Sequence, residues 1–376
     1  MKKTWIWIII IAAVALATAL FITQTKKESE EIKIGAILPL TGDAAIYGQE
    51  MKKGIDLALE EINKKNKVRI RVIYEDDQGI PRNAVSAAQK LITYNKVPVI
   101  ICSLSSITLA LAPIAQREKV VLISPSASAP EITYAGEFVF RVWPSDIFEG
   151  GEMAKFAFNN LKISKTAIIY VNNDYGKGLE QVFRRGFEEL GGTILANEGY
   201  EFGATDFRTQ LSKIKVKKPE ALYIVGYWKE IIQILRQMKE IDFHTQILSA
   251  IGFKEPEILE FAGQEAEGAI LTGPFYDPHI KEEIVQDFVT RYKVKFNEEP
   301  GIWAAHSYDA MKIIGLSIEG GGSTSSEIQK VMSTIKDFKG VTGIMSFDEH
   351  GDVIKPIRFY TVKNKKFIPY PYEEKQ

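Results

Sequence analysis

The sequence predicts an α/β protein of two lobes, each a parallel sheet flanked by helices. Three observations carry this. Short runs of consecutive apolar, β-branched residues alternate with segments of helical periodicity, as strand–helix–strand units do when their sheet is buried on both faces. The alternation halts near Pro144-Ser145-Asp146 and then starts afresh. Residues 31–376 are also too many for one ordinary domain and right for two.

Ahead of the first lobe, Lys2 and Lys3 precede Trp5 to Ile22, a stretch with no charge, and Lys26, Lys27 and an acidic segment follow it. Residues 1–30 are therefore expected to be a signal peptide or an N-terminal membrane anchor. Ala15-Leu16-Ala17 or Ala17-Thr18-Ala19 would serve as the cleavage site. The leading lysines favour a cytoplasmic N-terminus with everything after it outside, so an extracytoplasmic location is expected in either case. No cysteine lies in this segment, which excludes a lipoprotein-type lipid anchor.

A net charge of −1 gives no reason to expect nucleic acid. The single Cys102 ends a predicted buried strand and reads as a core thiol. Four histidines without metal-pair spacing give no zinc site, and no cofactor is expected. The chain has no Gly-rich phosphate loop, no Gly-x-Ser-x-Gly elbow and no carboxylate pair at suitable loops. It is expected not to be an enzyme.

Glu31 to Leu38 is the first strand, turned by Pro39-Leu40-Thr41-Gly42-Asp43. Tyr47 to Lys65 follows as a helix with Met51, Ile55, Leu59 and Ile62 on one face. Val68 to Glu75 is the second strand. Asp76-Asp77-Gln78-Gly79 reads as a turn rather than a metal site, and Pro81 opens a helix where proline is tolerated. Val97 to Cys102 and Val120 to Ile123 are buried strands joined by a helical stretch. The loops leaving both are serine-rich: Ser103, Ser105 and Ser106, then Ser124, Ser126 and Ser128. Side by side on adjacent strands, they could hold a small anion, because Ser105 or Ser106 would sit at a helix start with unpaired N–H groups and the positive end of the dipole. The alternative is that these serines cap helices and fill turns. Glu137 to Trp143 is a further extended run.

The second set begins with a helix from Phe148 to Leu161 and a strand from Thr166 to Val171. A helix through Leu190 follows, stopped by Gly191-Gly192. Asp206 to Lys213 is a helix, Ala221 to Val225 a strand, Glu230 to Ile241 a helix and Thr245 to Ser249 a strand. Tyr175, Tyr227 and the loop around Ile251 should line the carboxyl edge of this sheet, where open α/β sheets bind ligands. Gly268 to Pro274 is a strand, and helices follow over Lys281 to Phe296, Trp303 to Ser317 and Glu327 to Ile335. The chain is expected to finish with Gly343 to Phe347 and Val353 to Val362 as a hairpin around residues 348–352, then Phe367 to Tyr370.

Several stretches then carry a resemblance: Ile32 to Asn63, Tyr74 to Ile92, Ile123 to Thr133, Ala167 to Gly192, Thr205 to Tyr227 and Ala304 to Met311. The chain closely resembles the branched-chain amino-acid-binding type of periplasmic solute-binding protein, whose two lobes close on a ligand and deliver it to an ABC transporter. The resemblance implies the type I periplasmic binding fold, two Rossmann-like lobes joined by a three-crossing hinge. The crossings fall near Trp143 to Asp146, Gly273 to Asp277 and Ser346 to Lys355. Lobe 1 would be 31–143 plus 275–346, and lobe 2 would be 144–274 plus 355–376.

Site residues carry over by position. The resemblance implies that Ser105 and Ser128 bind a ligand carboxylate, that Ser106 and Ser126 help through backbone groups, and that Tyr47 covers the ligand side chain. Tyr175 and Tyr227 would clamp it as the lobes shut. Removing the Ser105 and Ser128 hydroxyls together is expected to abolish carboxylate binding and leave ligand-free melting nearly unchanged.

One departure matters. Amino-acid binders of this type carry an acidic residue where this chain has Ile251, and a buried ammonium without a counter-charge costs several kcal/mol. The expected ligand is thus a small carboxylate. It is a branched-chain amino acid if Glu255, Asp277 or another carboxylate substitutes, and otherwise an amine-free organic acid. The expected partner is an ABC transporter permease, with the membrane involved through the N-terminal segment if that is retained. The alternative of the same fold is the ligand-sensing ectodomain of a membrane-anchored receptor acting with a partner. No helix-turn-helix precedes Ile32, as a repressor of related fold would need.

Overall fold

The computed structural model describes residues 31–65 and 68–371. The expected leader or anchor, 1–30, lies outside them. Among the described residues no helix is long and apolar enough to cross a membrane.

The first lobe is built on five parallel strands: β1 (Glu31–Leu38), β2 (Arg69–Asp76), β3 (Val99–Cys102), β4 (Val121–Ser124) and β5 (Val139–Arg141). Their order across the sheet is β2-β1-β3-β4-β5. Every residue of β3 and β4 is buried, as their unbroken apolar runs require. The connecting helices are α1 (Ala45–Lys65), α2 (Pro81–Thr93) and α3 (Ser105–Glu118). Because β2 and β3 lie on opposite sides of β1, the loops leaving β1 and β3 diverge and open a crevice at their carboxyl ends. Asp76 fixes the first of these loops, accepting from the backbone N–H of Leu40 and Thr41 at 2.9 and 3.2 Å.

The second lobe repeats the plan. Helix α4 (Asp146–Lys155), extended by one π turn, leads to β6 (Lys165–Val171), α5 (Asp174–Glu189), β7 (Thr193–Tyr200) and α6 (Arg208–Lys215). Then come β8 (Ala221–Val225), α7 (Trp228–Glu240), β9 (Gln246–Ser249), α8 (Pro256–Phe261) and β10 (Ile270–Pro274). Here β7 and β8 flank β6, so the loops after β6 and β8 form the matching crevice.

The chain then returns to the first lobe as α9 (Glu283–Phe296), α10 (Ile302–Glu319) and α11 (Ser325–Ser333). Helix α10 packs closely on α1: a Cβ at Gly54 would lie 2.1 Å from the Ala304 carbonyl oxygen, so only glycine permits the approach. A short ribbon of β11 (Phe338–Gly340) and β12 (Gly343–Met345) follows. Finally β13 (Ile357–Lys363) and β14 (Lys366–Pro369) add antiparallel to the edge of the second sheet beside β10. The chain thus passes between the sheets three times, after β5, after β10 and after β12.

The short α8 and β11 were not expected from sequence, and two larger differences stand beside them. The sequence reading left out β7, an edge strand whose half-exposed TILANEGY lacks the apolar run that marked its neighbours. The expected terminal hairpin is absent: β12 pairs with β11, β13 pairs with β10, and only a single Phe347–Val353 bridge spans residues 348–352. Those residues form the third crossing instead. Arg141 pins them, its N–H donating to the Gly351 carbonyl at 3.0 Å and its side chain meeting Asp352.

Candidate functional site

The two crevices face each other across the cleft and enclose a cavity of about 30 Å³. Of the predicted residues, Tyr47, Ser105, Ser126 and Ser128 line it from the first lobe, and Tyr175, Tyr227 and Ile251 from the second. Ser106 does not. Its hydroxyl points across the cleft and accepts from the backbone N–H of Asp174 at 3.3 Å.

The serine loops are tied together more tightly than helix capping requires. Ser105 Oγ accepts from the backbone N–H of both Ser128 and Ala129 at 3.1 Å. A hydroxyl that accepts twice keeps its own proton to donate. Leu104, just before α3, has φ 57° and ψ 145°, a conformation that costs a residue with a side chain roughly 1–3 kcal/mol. Ser126 Oγ holds it there by accepting from Leu104 N at 3.1 Å, while Leu104's carbonyl takes the Thr108 N–H. The first N–H groups of α3 consequently point at the cavity end of the helix, with no side-chain cap at Leu104. Behind the second loop, Arg141 Nη1 donates to the carbonyls of Ser128 and Ala129 at 3.1 and 2.8 Å. Its other nitrogens grip Asp352. The Ser126 side chain thus braces Leu104.

Contacts across the cleft show the lobes closed. Trp228 N donates to the Tyr47 hydroxyl at 3.3 Å, Lys229 pairs with Asp43 at 2.7 Å, and Trp303 Nε1 donates to Glu255 at 2.7 Å. The cavity walls are aromatic. Tyr227 lies between Tyr47 and Tyr175, with ring centroids 5.9 and 5.6 Å away, and Asn173 donates to its hydroxyl. Trp303 stands edge-on to Tyr47 at 5.1 Å and stacks flat on Trp143 at 4.8 Å. Burial raises the phenols of Tyr47, Tyr175 and Tyr227, so all three are neutral hydroxyls.

Two buried carboxyls that the sequence reading did not name as site residues stand behind the cavity wall near Ile251. Ile251 presents only its apolar side chain, but its backbone N–H donates to Glu149 at 3.1 Å; Thr272 donates to the same oxygen at 3.2 Å. One turn earlier on α4, Asp146 has both carboxylate oxygens buried without a well-formed hydrogen bond. Burial pushes its carboxyl up to about 7, with the Ser128 hydroxyl and the Arg141 guanidinium opposing and Glu131 adding to the rise. Glu149 is raised as well, by burial and then by Asp146. The Tyr175 hydroxyl, close enough to feel both carboxylates, also has no partner. Of the carboxylates named from sequence, Glu255 is held by Trp303, a wall of the cavity, and Asp277 accepts from the His279 N–H in its own turn.

Gly252, in the loop expected to line the site, also lines the cavity, as do Trp143, Trp303 and Leu104, which the sequence reading missed. Gly252 is there because a Cβ would meet the Gly226 carbonyl oxygen at 2.1 Å, where the β8 and β9 exit loops touch.

Residues 31–366 match the family described as periplasmic binding protein. The chain belongs to that family. Among its relatives, the leucine-, isoleucine-, valine-, threonine- and alanine-binding protein of Pseudomonas aeruginosa is 30% identical over 86% of this chain and 88% of that one. The leucine-binding protein of Thermotoga maritima is 33% identical over 90% of this chain and 97% of its own, with a TM-score of 0.85. The branched-chain amino acid transporter substrate-binding protein of Streptococcus pneumoniae, solved in complex with isoleucine, is 30% identical over 90% and 98%, with a TM-score of 0.83. The family explains the two crevices: this is a type I binding-protein fold of the branched-chain amino acid transporter type. Its relatives are solute-binding proteins and not enzymes.

Proposed function

We propose that the protein is the extracytoplasmic solute-binding component of an ABC transporter and that it takes an α-amino acid with an apolar side chain. In this reading the Ser105 and Ser128 hydroxyls and the start of α3 receive the ligand carboxylate. Tyr47, Tyr227 and Trp303 enclose its side chain. The observation that carries the choice of an amino acid is Asp146, a fully buried carboxylate behind the Ser128 and Tyr175 wall of the cavity, where only the Ser128 hydroxyl and Arg141 oppose the cost of its burial. An ammonium there relieves the cost of burying it, whereas an amine-free carboxylate only adds repulsion. Tyr175 offers its unpartnered hydroxyl to the same end.

A cavity of about 30 Å³ has room for one or two waters, so entry requires the lobes to part and ligand then draws them shut. A permease would read the closed form. Residues 1–30 would export the chain, either as a cleaved signal or as a retained anchor. The second reading, an amine-free organic acid, is favoured only by the apolar Ile251. Calorimetric titration with L-leucine, L-isoleucine, isovalerate and benzoate separates the two. Heat of binding from the amino acids alone supports the proposal; heat from isovalerate or benzoate alone overturns it.

A further inference from the structure

Glu255 stands immediately before α8, yet its side chain does not cap that helix. The carboxylate crosses to the other lobe and accepts from Trp303 Nε1, with both residues buried. Trp303 in turn is a wall of the cavity, braced by Trp143 and Tyr47. Since its two partners belong to different lobes, this bond exists only in the closed arrangement. Parting the lobes returns both groups to water.

We propose that Glu255 is a positioning residue and a cross-cleft latch, bonding Trp303 in its acid form as the lobes meet, so that closure weakens as pH rises. The surroundings explain why. Burial and then Glu50 of α1 hold the Glu255 carboxyl well above the usual range; Glu257 of α8 adds to this, while the Trp303 bond and Lys254 oppose it. Lys254 is itself weakened by burial, pulled down to about 8, and faces Asp277 as well as Glu255. Tyr47 faces Glu255 as a neutral phenol. An ionised Glu255 is therefore poorly compensated once water is excluded. Its protonated carboxyl still accepts through the carbonyl oxygen, so the indole bond survives protonation. In the open arrangement solvent restores ordinary carboxylate behaviour, and closing takes up a proton.

The test follows lobe closure without ligand. Spectroscopic labels on Gln89→Cys and Gln181→Cys, one exposed position in each lobe, report the interlobe distance, and buried Cys102 stays unlabelled. Between pH 5 and 9 the closed-to-open ratio is expected to fall by up to about tenfold per pH unit for each linked proton. Glu255→Gln keeps an acceptor for Trp303 and is expected to stay closed with that slope reduced by one proton's share, the remainder belonging to neighbouring buried groups such as Glu50, raised to about 7. Glu255→Ala is expected to open at every pH. An unchanged slope in Glu255→Gln, or a fully closed Glu255→Ala, overturns the latch. The ligand arm of the proposal rests on the amino-acid reading, so L-leucine affinity is measured in the same variants. If leucine binds none of them while the closure slopes behave as stated, the latch stands and the ligand reading fails.

Discussion

Replacing Ser105 by alanine tests whether the serine loops are one tied unit. Ser105 Oγ is the acceptor for two buried N–H groups, those of Ser128 and Ala129. Leaving a buried donor unsatisfied costs about 1–3 kcal/mol. Water entering the neighbouring cavity recovers part of this, so the expected loss is about 2–4 kcal/mol. At about 2–4 °C per kcal/mol for a chain of this size class, ligand-free melting should fall by roughly 4–16 °C. Ser128→Ala removes no acceptor of a backbone N–H, only the donor that faces Asp146, and its ligand-free melting should fall less than that of Ser105→Ala. This revises the expectation that the double substitution leaves melting unchanged, because one of the two hydroxyls is structural as well as ligand-facing. Scanning calorimetry on both ligand-free variants decides it. Equal melting of Ser105→Ala and the parent would mean that the N–H groups find another acceptor and that the loops are not tied through this side chain.

Two further outcomes follow from the buried charges. Arg141→Met leaves Asp352 without its cation and frees the Ser128 and Ala129 carbonyls; urea unfolding should show a loss of about 3–5 kcal/mol, and a loss under 1 kcal/mol would refute the pinning of the third crossing. Asp146 titrates near 7 when folded and near 4 when unfolded, and Glu149 is raised too, so the folded state holds more protons in that interval. Their contribution to stability is full below about pH 4 and is lost as pH rises towards 7. Ligand-free unfolding free energy of Asp146→Asn should accordingly decline less between pH 5 and 7 than that of the parent; an identical decline would contradict the assignment.

The sequence made the frame legible where one local pattern decides the outcome. Glu31–Leu38 and Ala221–Val225 are strands with the predicted bounds because a buried parallel strand must be an apolar run. Strand ends placed the serine loops, Tyr175, Tyr227 and the Ile251 loop at the crevices, while Tyr47 and the roles of the eight named residues came from the family resemblance; seven of the eight line one cavity. What failed depends on distant parts meeting. Trp303 opens a helix 160 residues after Trp143 and reads as ordinary packing until the two rings stack. Asp146 reads as part of the Pro144-Ser145-Asp146 break and Glu149 as an ordinary residue of the helix predicted from Phe148; the helix in fact starts at Asp146, and packing in the folded lobe removes the water from both. Residues 348–352 have the composition of a hairpin turn, and Arg141 recruits them to the hinge.

The central claim is that Asp146 supplies the charge that makes this an amino-acid site. Titrating Asp146→Asn, which keeps the side chain's shape, with L-leucine and with isovalerate tests it most directly. Loss of one partner of a buried ion pair costs about 2–5 kcal/mol, so leucine affinity should fall by at least about thirtyfold while isovalerate, freed from repulsion, gains. Leucine binding that is unchanged in Asp146→Asn, with isovalerate no better than before, would contradict the account.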